Sequence, residues 1–212
     1  MANYFNKFPT LFYSFDDFKT TERVTNIISR YALETELKEN SSVYYNYEVR
    51  DGDTPEILAS KLYNNPERHW IIMMMNDIVD VNYDWPLDYK TLNVYIDSKY
   101  KENANSSVDG DGLIWAKANP HSYYKVETIT LPDQAKQIQK FEIDANTYAN
   151  TVVTLGVQLT LSDNTVIVID NTKETLSYYN YELEYNESKR KIKLMRPEYV
   201  PQLEQEVRTA FL

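Results

Sequence analysis

Residues 47–77 read YEVRDGDTPEILASKLYNNPERHWIIMMMND. With the residues just before it, the stretch opens as an alternating, β-prone run, 43–50, which predicts a strand. Asp51-Gly52-Asp53 is a turn. Thr54 is a good N-cap, and Pro55 then falls at the first helical position, where its missing N–H costs nothing. The helix runs to Tyr63, with Leu58 and Leu62 on one face and Ile57 beside them. Asn65-Pro66 repeats the punctuation and opens a second helix to about Met75. Asn76 suits the left-handed position after a helix. Val79, Val81 and Tyr83 then lead to Trp85-Pro86-Leu87, read as a short strand. The stretch therefore predicts a compact strand–helix–helix–strand unit.

The second helix decides how that unit is used. Trp70 to Met75 is apolar all round, and such a helix is covered on both sides. One face, with Trp70, Ile71, Met74 and Met75, serves its own unit. The other, with Ile72 and Met73, must meet another part of the chain or another protein, with the following helix, 88–101, or a partner subunit the favoured cover, and methionine suits adaptable contacts.

Working outward, residues 1–19 are aromatic, with turn signals at Pro9 and Asp16-Asp17. Residues 20–37 predict a helix with a Val24, Ile27, Ile28, Tyr31 stripe, and 38–42 break it. Leu92, Ile96 and Tyr100 mark a helix over 88–101. Residues 103–112 predict a flexible loop or linker. Beyond it, 123–131, 137–143 and 151–161 read as strands, and Ser162-Asp163-Asn164 joins the last of these to TVIVID as a hairpin. Residues 175–190 suit helix and strand alike. Residues 191–195 read as a strand, and Pro201 opens a final helix with Leu203 and Val207 inward. The expected division is 1–42, an aromatic segment and helix; 43–102, the compact unit with its following helix; 103–112, the linker; and 113–212, a β-rich region ending in a helix. The class is α+β.

Composition narrows the function. The 212 residues carry 22 Lys and Arg against 32 Asp and Glu, a net charge of −10. So acidic a chain is a poor binder of nucleic acid or anionic membrane. With no cysteine, disulfides and thiolate chemistry are out. Only 2 His and 4 Gly leave little for histidine catalysis or phosphate-cradling loops. No targeting segment is visible, and the longest apolar run, Trp70 to Met75, falls far short of the roughly 20 residues a membrane span needs. The 19 tyrosines fit either an aromatic core or an interface, where a ring buries one end and keeps a polar partner at the other.

The chemical candidates are few. Asp77, Asp80 and Asp84 cluster as a hard cation would require, yet aspartate is common in turns for backbone reasons. Asp109-Gly110-Asp111-Gly112 resembles a calcium loop, but the template puts Ala116 where the bidentate carboxylate belongs. His69 and His121 have no nucleophile or second ligand at motif spacing and read as structural. Asn186 to Arg190 reads as a polar network fixing the C-terminal part. No catalytic residue, metal site or cofactor is expected, and the chain is read as a non-enzyme.

The Gly52-Asp53-Thr54 turn, the helix entering at Pro55, Ala59, Tyr63 and Asn76 resemble a LysM module, a βααβ fold that usually binds N-acetylglucosamine polymers. The run from Pro55 to Asp77, then YDWPL at 83–87 and a helix ending Ser98-Lys99-Tyr100, narrows the likeness. It resembles the LysM-like baseplate wedge subunit of contractile-tailed bacteriophages, the gene product fifty-three family. Asn119-Pro120-His121 and NESKRKIKLMRPEYVPQLE at 186–204 resemble larger members.

The resemblance implies a small LysM-like βααβ unit with flanking helices plus a β-rich C-terminal region ending in a helix. It implies a structural virion protein of the tail baseplate, made in the host cytoplasm and present in several copies. It would join neighbouring wedge proteins and the sheath-initiating subunit. Trp70, Ile72, Met73 and Trp85 are the expected partner interface. Ile72→Glu or Met73→Glu would block assembly and leave the domain folded. The alternative is a glycan-binding LysM module with its groove at Gly52, Asp53, Thr54, Ile78 and Asp80. The family's shorter members lack much of a region like 113–175, so that segment would carry contacts particular to this chain.

Overall fold

A computed structural model describes residues 8–17, 19–26 and 32–210. Its order is β1 (Thr10–Tyr13), β2 (Glu22–Thr25), α1 (Thr35–Glu39), β3 (Tyr44–Glu48), α2 (Pro55–Tyr63), α3 (His69–Met75), α4 (Val81–Asp84), α5 (Tyr89–Tyr100), α6 (Asp111–Ala118), β4 (Pro120–Thr130), β5 (Lys136–Ile143), α7 (Ala145–Asn150), β6 (Thr154–Thr160), β7 (Val166–Ser177), α8 (Tyr178–Ser188), β8 (Lys191–Met195) and α9 (Val200–Ala210). The chain falls into two compact units, Met1–Asp88 with Glu187–Leu212, and Tyr89–Asn186. The second unit is thus inserted in sequence between the two segments of the first. The stretches 43–102 and 113–212 each contribute to both.

In the first unit, local punctuation works as its residues dictate. The Thr54 hydroxyl accepts the Ile57 N–H at 3.3 Å, and Pro55 starts α2. The Asn65 side chain accepts the Glu67 N–H at 2.9 Å, and a 3-10 turn over Pro66–Arg68 leads into α3. The left-handed residue after α3 is Asp77, at φ 55°, instead of Asn76, at φ −111°. The reason is that the Asn76 side chain is engaged elsewhere, as described below.

Three longer-range expectations are corrected. Residues 22–25 form a strand, not a helix, pairing antiparallel with β1 in the register Thr10↔Thr25 to Tyr13↔Glu22. β-Branched Val24 and Thr25 suit that pairing. Ile27, Ile28 and Tyr31 lie outside the described residues. Residues 81–84 form a helical turn instead of a strand. The Asp80 carboxylate caps it by accepting the Asn82 N–H at 2.9 Å, and the Asp84 carboxylate accepts the N–H groups of Val79 and Asp80 at 3.0 Å each. The strand that closes the compact unit is β8, antiparallel to β3 from Tyr44↔Met195 to Glu48↔Lys191. Strand, helix, helix, strand is therefore built, but its last strand follows the whole inserted unit.

The core of the first unit gathers Val43, Val49, Leu58, Ala59 and Tyr63 with Trp70, Ile71, Ile72 and Met75, and from the far end of the chain Ile192, Leu194, Met195, Val200, Leu203 and Val207. Tyr63 is buried, and its hydroxyl donates to Met195 O at 2.9 Å; burial pushes its pKa up.

The second unit has a four-stranded antiparallel sheet in the order β5-β4-β7-β6. α5 and α6 pack closely at Gly112, where a Cβ would lie 2.1 Å from the backbone oxygen of Asp97. The Asp97 carboxylate, from α5, accepts the N–H groups of Gly110 and Leu113 at 3.0 Å each and so caps α6. The stretch expected as linker is thus helical from Asp111. Residues 175–190 resolve into the end of β7 and then α8. Helix α7, before β6, has its cap in the Asp144 carboxylate, which accepts from the N–H groups of Asn146 and Thr147. The three-residue hairpin loop Ser162–Asn164 is closed by Leu161 N–H donating to Thr165 O at 2.8 Å.

Candidate protein-protein interface

The residues expected to meet a partner are mostly spent inside the first unit. Trp70 is 5% exposed, Ile72 0% and Trp85 5%; Met73 alone of the four is half-buried. The cover on the second face of α3 comes from the chain itself. The Asn76 side chain donates to Ile72 O and to Lys193 O, both at 2.8 Å, and accepts the Lys193 N–H at 2.7 Å. One amide thereby ends α3 and stitches it to β8, 117 positions on. Arg68 adds a forked contact to Glu204 on α9, at 3.0 and 3.3 Å. Ile72→Glu is therefore a core substitution, contrary to the expectation that the domain would tolerate it.

Of the groove residues, Gly52, Thr54 and Asp80 stay exposed, while Asp53 and Ile78 are engaged within the unit. The Trp85 indole N–H donates to Asp53 O at 2.9 Å, so the chain after α3 folds back onto the Gly52–Thr54 turn. The Asp53 carboxylate accepts from the Tyr47 hydroxyl at 2.7 Å, the Arg50 N–H at 3.2 Å and Lys61 Nζ at 3.0 Å. Burial alone would raise its pKa, but these donors hold it below the usual value. Asp80 is a helix cap, as above, and Ile78 packs against the core.

The other candidates have structural work. Asp77 pairs with Lys38, Asp111 accepts from Ser106, and Asp109 pairs with Lys101 at 2.6 Å. Among the described residues no group of three His, Asp or Glu is placed to hold a metal ion. His69 Nδ1 lies 3.0 Å from Pro66 O, and the His121 ring stacks on Tyr181 at 3.9 Å. Arg190 anchors the return into the first unit, reaching Val49 O, Asp51 and Glu187 at 3.1, 2.8 and 2.9 Å. In the second unit, Tyr100, Trp115 and Tyr178 form an aromatic cluster with centroids 5.1–5.7 Å apart. Buried Glu182 accepts from Lys99 Nζ and the Tyr100 hydroxyl, both at 2.7 Å.

The first unit still exposes Phe12, Phe15, Val79 and Tyr83, and the sheet of the second unit is open as well. Directly paired residues share a face. Val157, Ile169 and Ile129 form one row across β6, β7 and β4, with Leu159 and Ile167 beside it. At the other end of that face the Tyr148 ring of α7 packs on Tyr123 and under Lys173. Val157 and Leu159 remain 47% and 48% exposed. β6 is also an edge strand. From Val152 to Leu161 the chain has no charged residue. Edge strands are usually guarded by charge, and the opposite edge, β5, carries Lys136, Lys140 and Glu142. Sequence reading recognised the β6 strand but missed its role. The signal was there, as a charge-free, alternating run next to turn residues.

Comparison with known proteins follows the same direction. The model of a family described as base plate wedge protein 53 matches residues 4–204. Baseplate wedge protein gp53 of Enterobacteria phage T4 is 28% identical over 81 residues, which are 38% of this chain and 39% of that protein. The match spans well under half of that relative's length. No helix among the described residues is long and apolar enough to cross a membrane.

Proposed function

Because the chain belongs to the base plate wedge protein 53 family of phage tail components, we propose that it joins neighbouring wedge subunits as a structural element of the baseplate. The family match over residues 4–204 carries this reading. The partners are other wedge proteins and the sheath-initiating subunit, and the chain acts by contact, without catalysis or cofactor. The first unit supplies a LysM-like scaffold, β3-α2-α3-β8, interrupted between α3 and β8 by the inserted unit. Trp85 and the donors to Asp53 engage part of the groove within the unit, which favours a scaffold over a glycan site. The exposed apolar residues of the β6 edge supply contact surface on the second unit; on the first, Phe12, Phe15, Val79 and Tyr83 are exposed beside half-buried Met73.

Cross-linking mass spectrometry on purified particles tests this. Links from this chain to wedge or sheath-base proteins are expected. Absence of the chain from particles overturns the reading.

A further inference from the structure

Resting on that reading, we propose that β6 is completed by strand addition. An extended segment of another base-plate polypeptide, apolar at alternate positions and flanked by Lys or Arg, pairs along the open edge from Val157 to Thr160.

Three observations lead to this mode and this occupant. First, the two edges of one sheet are treated differently. β5 is guarded by Lys136, Lys140 and Glu142, whereas β6 offers unpaired backbone groups with no charge to repel a strand. Second, the edge is shaped. Gly156, at φ 69°, sits in the irregular register between Thr154 and Val157, and its N–H donates to the Asp170 carboxylate at 2.6 Å. This bulge ends regular pairing on one side, and the hairpin loop closed between Leu161 and Thr165 ends it on the other. A straight edge remains over Val157–Thr160, flanked by exposed Leu155 and Leu161. An added strand would take its affinity from main-chain hydrogen bonds and its specificity from alternate side chains. Its apolar residues would extend the row made by Val157, Ile169 and Ile129. Third, charge selects the occupant. Each copy of this chain carries −10. Two copies repel, while a basic flanking sequence is attracted.

The test is hydrogen–deuterium exchange, read by mass spectrometry on the purified chain and on the chain within purified particles. The outward-facing amides within 154–161 are expected to exchange within seconds to minutes in the free chain and at least tenfold more slowly in particles. Peptides covering 136–143 on β5 are expected to change little. Val157→Lys/Leu159→Lys is expected to keep the melting temperature of the free chain and to enter particles at least tenfold less than Ile138→Lys on the guarded edge.

Equal exchange of β6 in both states, in particles that contain the chain, overturns strand addition and leaves the baseplate reading standing. Absence of the chain from particles overturns both. A purified chain that dimerises through β6 overturns the choice of occupant. Salt separates the two cases, since a second copy binds more tightly as salt rises and a basic partner binds less tightly. In light scattering the purified chain is expected to remain monomeric from low to high salt.

Discussion

The β3–β8 sheet of the first unit and the four-stranded sheet of the second are used in opposite ways. β3 and β8 make a sheet of only two strands, yet the apolar residues of β8 are enclosed: Ile192, Leu194 and Met195 are 4%, 5% and 1% exposed. The inserted unit has four strands, yet Ile138, Phe141, Val157 and Leu159 are all at least 46% exposed. A two-stranded sheet is not stable alone and must be built into a core. A four-stranded sheet holds itself together by its ladder and can leave surface unspent. The β8 face is therefore spent in the core of the first unit, while the β1–β2 pair leaves Phe12 77% exposed and the four-stranded sheet of the second unit leaves apolar area uncovered.

The sharpest way to break this contrast is one charge placed in each unit. Ile72→Glu puts a carboxylate where exposure is 0% and is expected to cost about 4 kcal/mol or more. Leu159→Glu, on the open edge, is expected to stay within about 0.5 kcal/mol. Urea unfolding of the two variants against the parent measures both. Equal losses would mean that β6 is covered in the free chain.

A smaller effect is expected at the stitch between α3 and β8. Asn76→Ala removes three hydrogen bonds and leaves the Lys193 N–H without its acceptor. The expected loss is about 2–3 kcal/mol, by the cost of stranding part-buried polar groups. Hydrogen exchange should show the loss in β8 and not in β4 or β7. Uniform loosening of both sheets would erase the distinction between the units.

A smaller loss again is expected at Asp53, whose pKa is held below the ordinary aspartate value of 3.8. A carboxylate depressed by folding stabilises the native state above its unfolded pKa and loses that contribution as pH falls through the folded value. Asp53→Asn is therefore expected to cost about 1 kcal/mol near neutral pH. The difference from the parent should shrink below pH 3.8. Thermal melts from pH 7 down to the acid transition measure it. A difference that grows on acidification would contradict the hydrogen-bond account.

The legible parts of the molecule are those whose causes lie within a few residues. Thr54 with Pro55, and Asn65 with Pro66, mark helix starts because a side-chain acceptor and a missing N–H act over three positions. The 162–164 hairpin is likewise local. The misread parts were decided from farther away. Val24 was assigned to a helical stripe because Thr10–Tyr13, its pairing partner, is not visible in a local pattern. Asn76 has the residue type of a helix C-terminus, but β8 claims its side chain. The expected interface residues illustrate the same limit. Apolarity on both sides of α3 was read correctly as cover on both sides, but a sequence does not say whether the cover belongs to a partner or to the chain's own C-terminal segment.

By itself, then, the sequence determined the local elements between Tyr44 and Met75, the exclusion of cysteine chemistry, and the family likeness. Only the tertiary structure decided that β3 closes with β8, that Trp70, Ile72 and Trp85 are core, and that β6 is the edge left open. The reason is that caps and turns are set by short-range hydrogen bonds. Strand partners and exposure are set by which distant surfaces meet, and many segments of similar apolarity could have competed for each place.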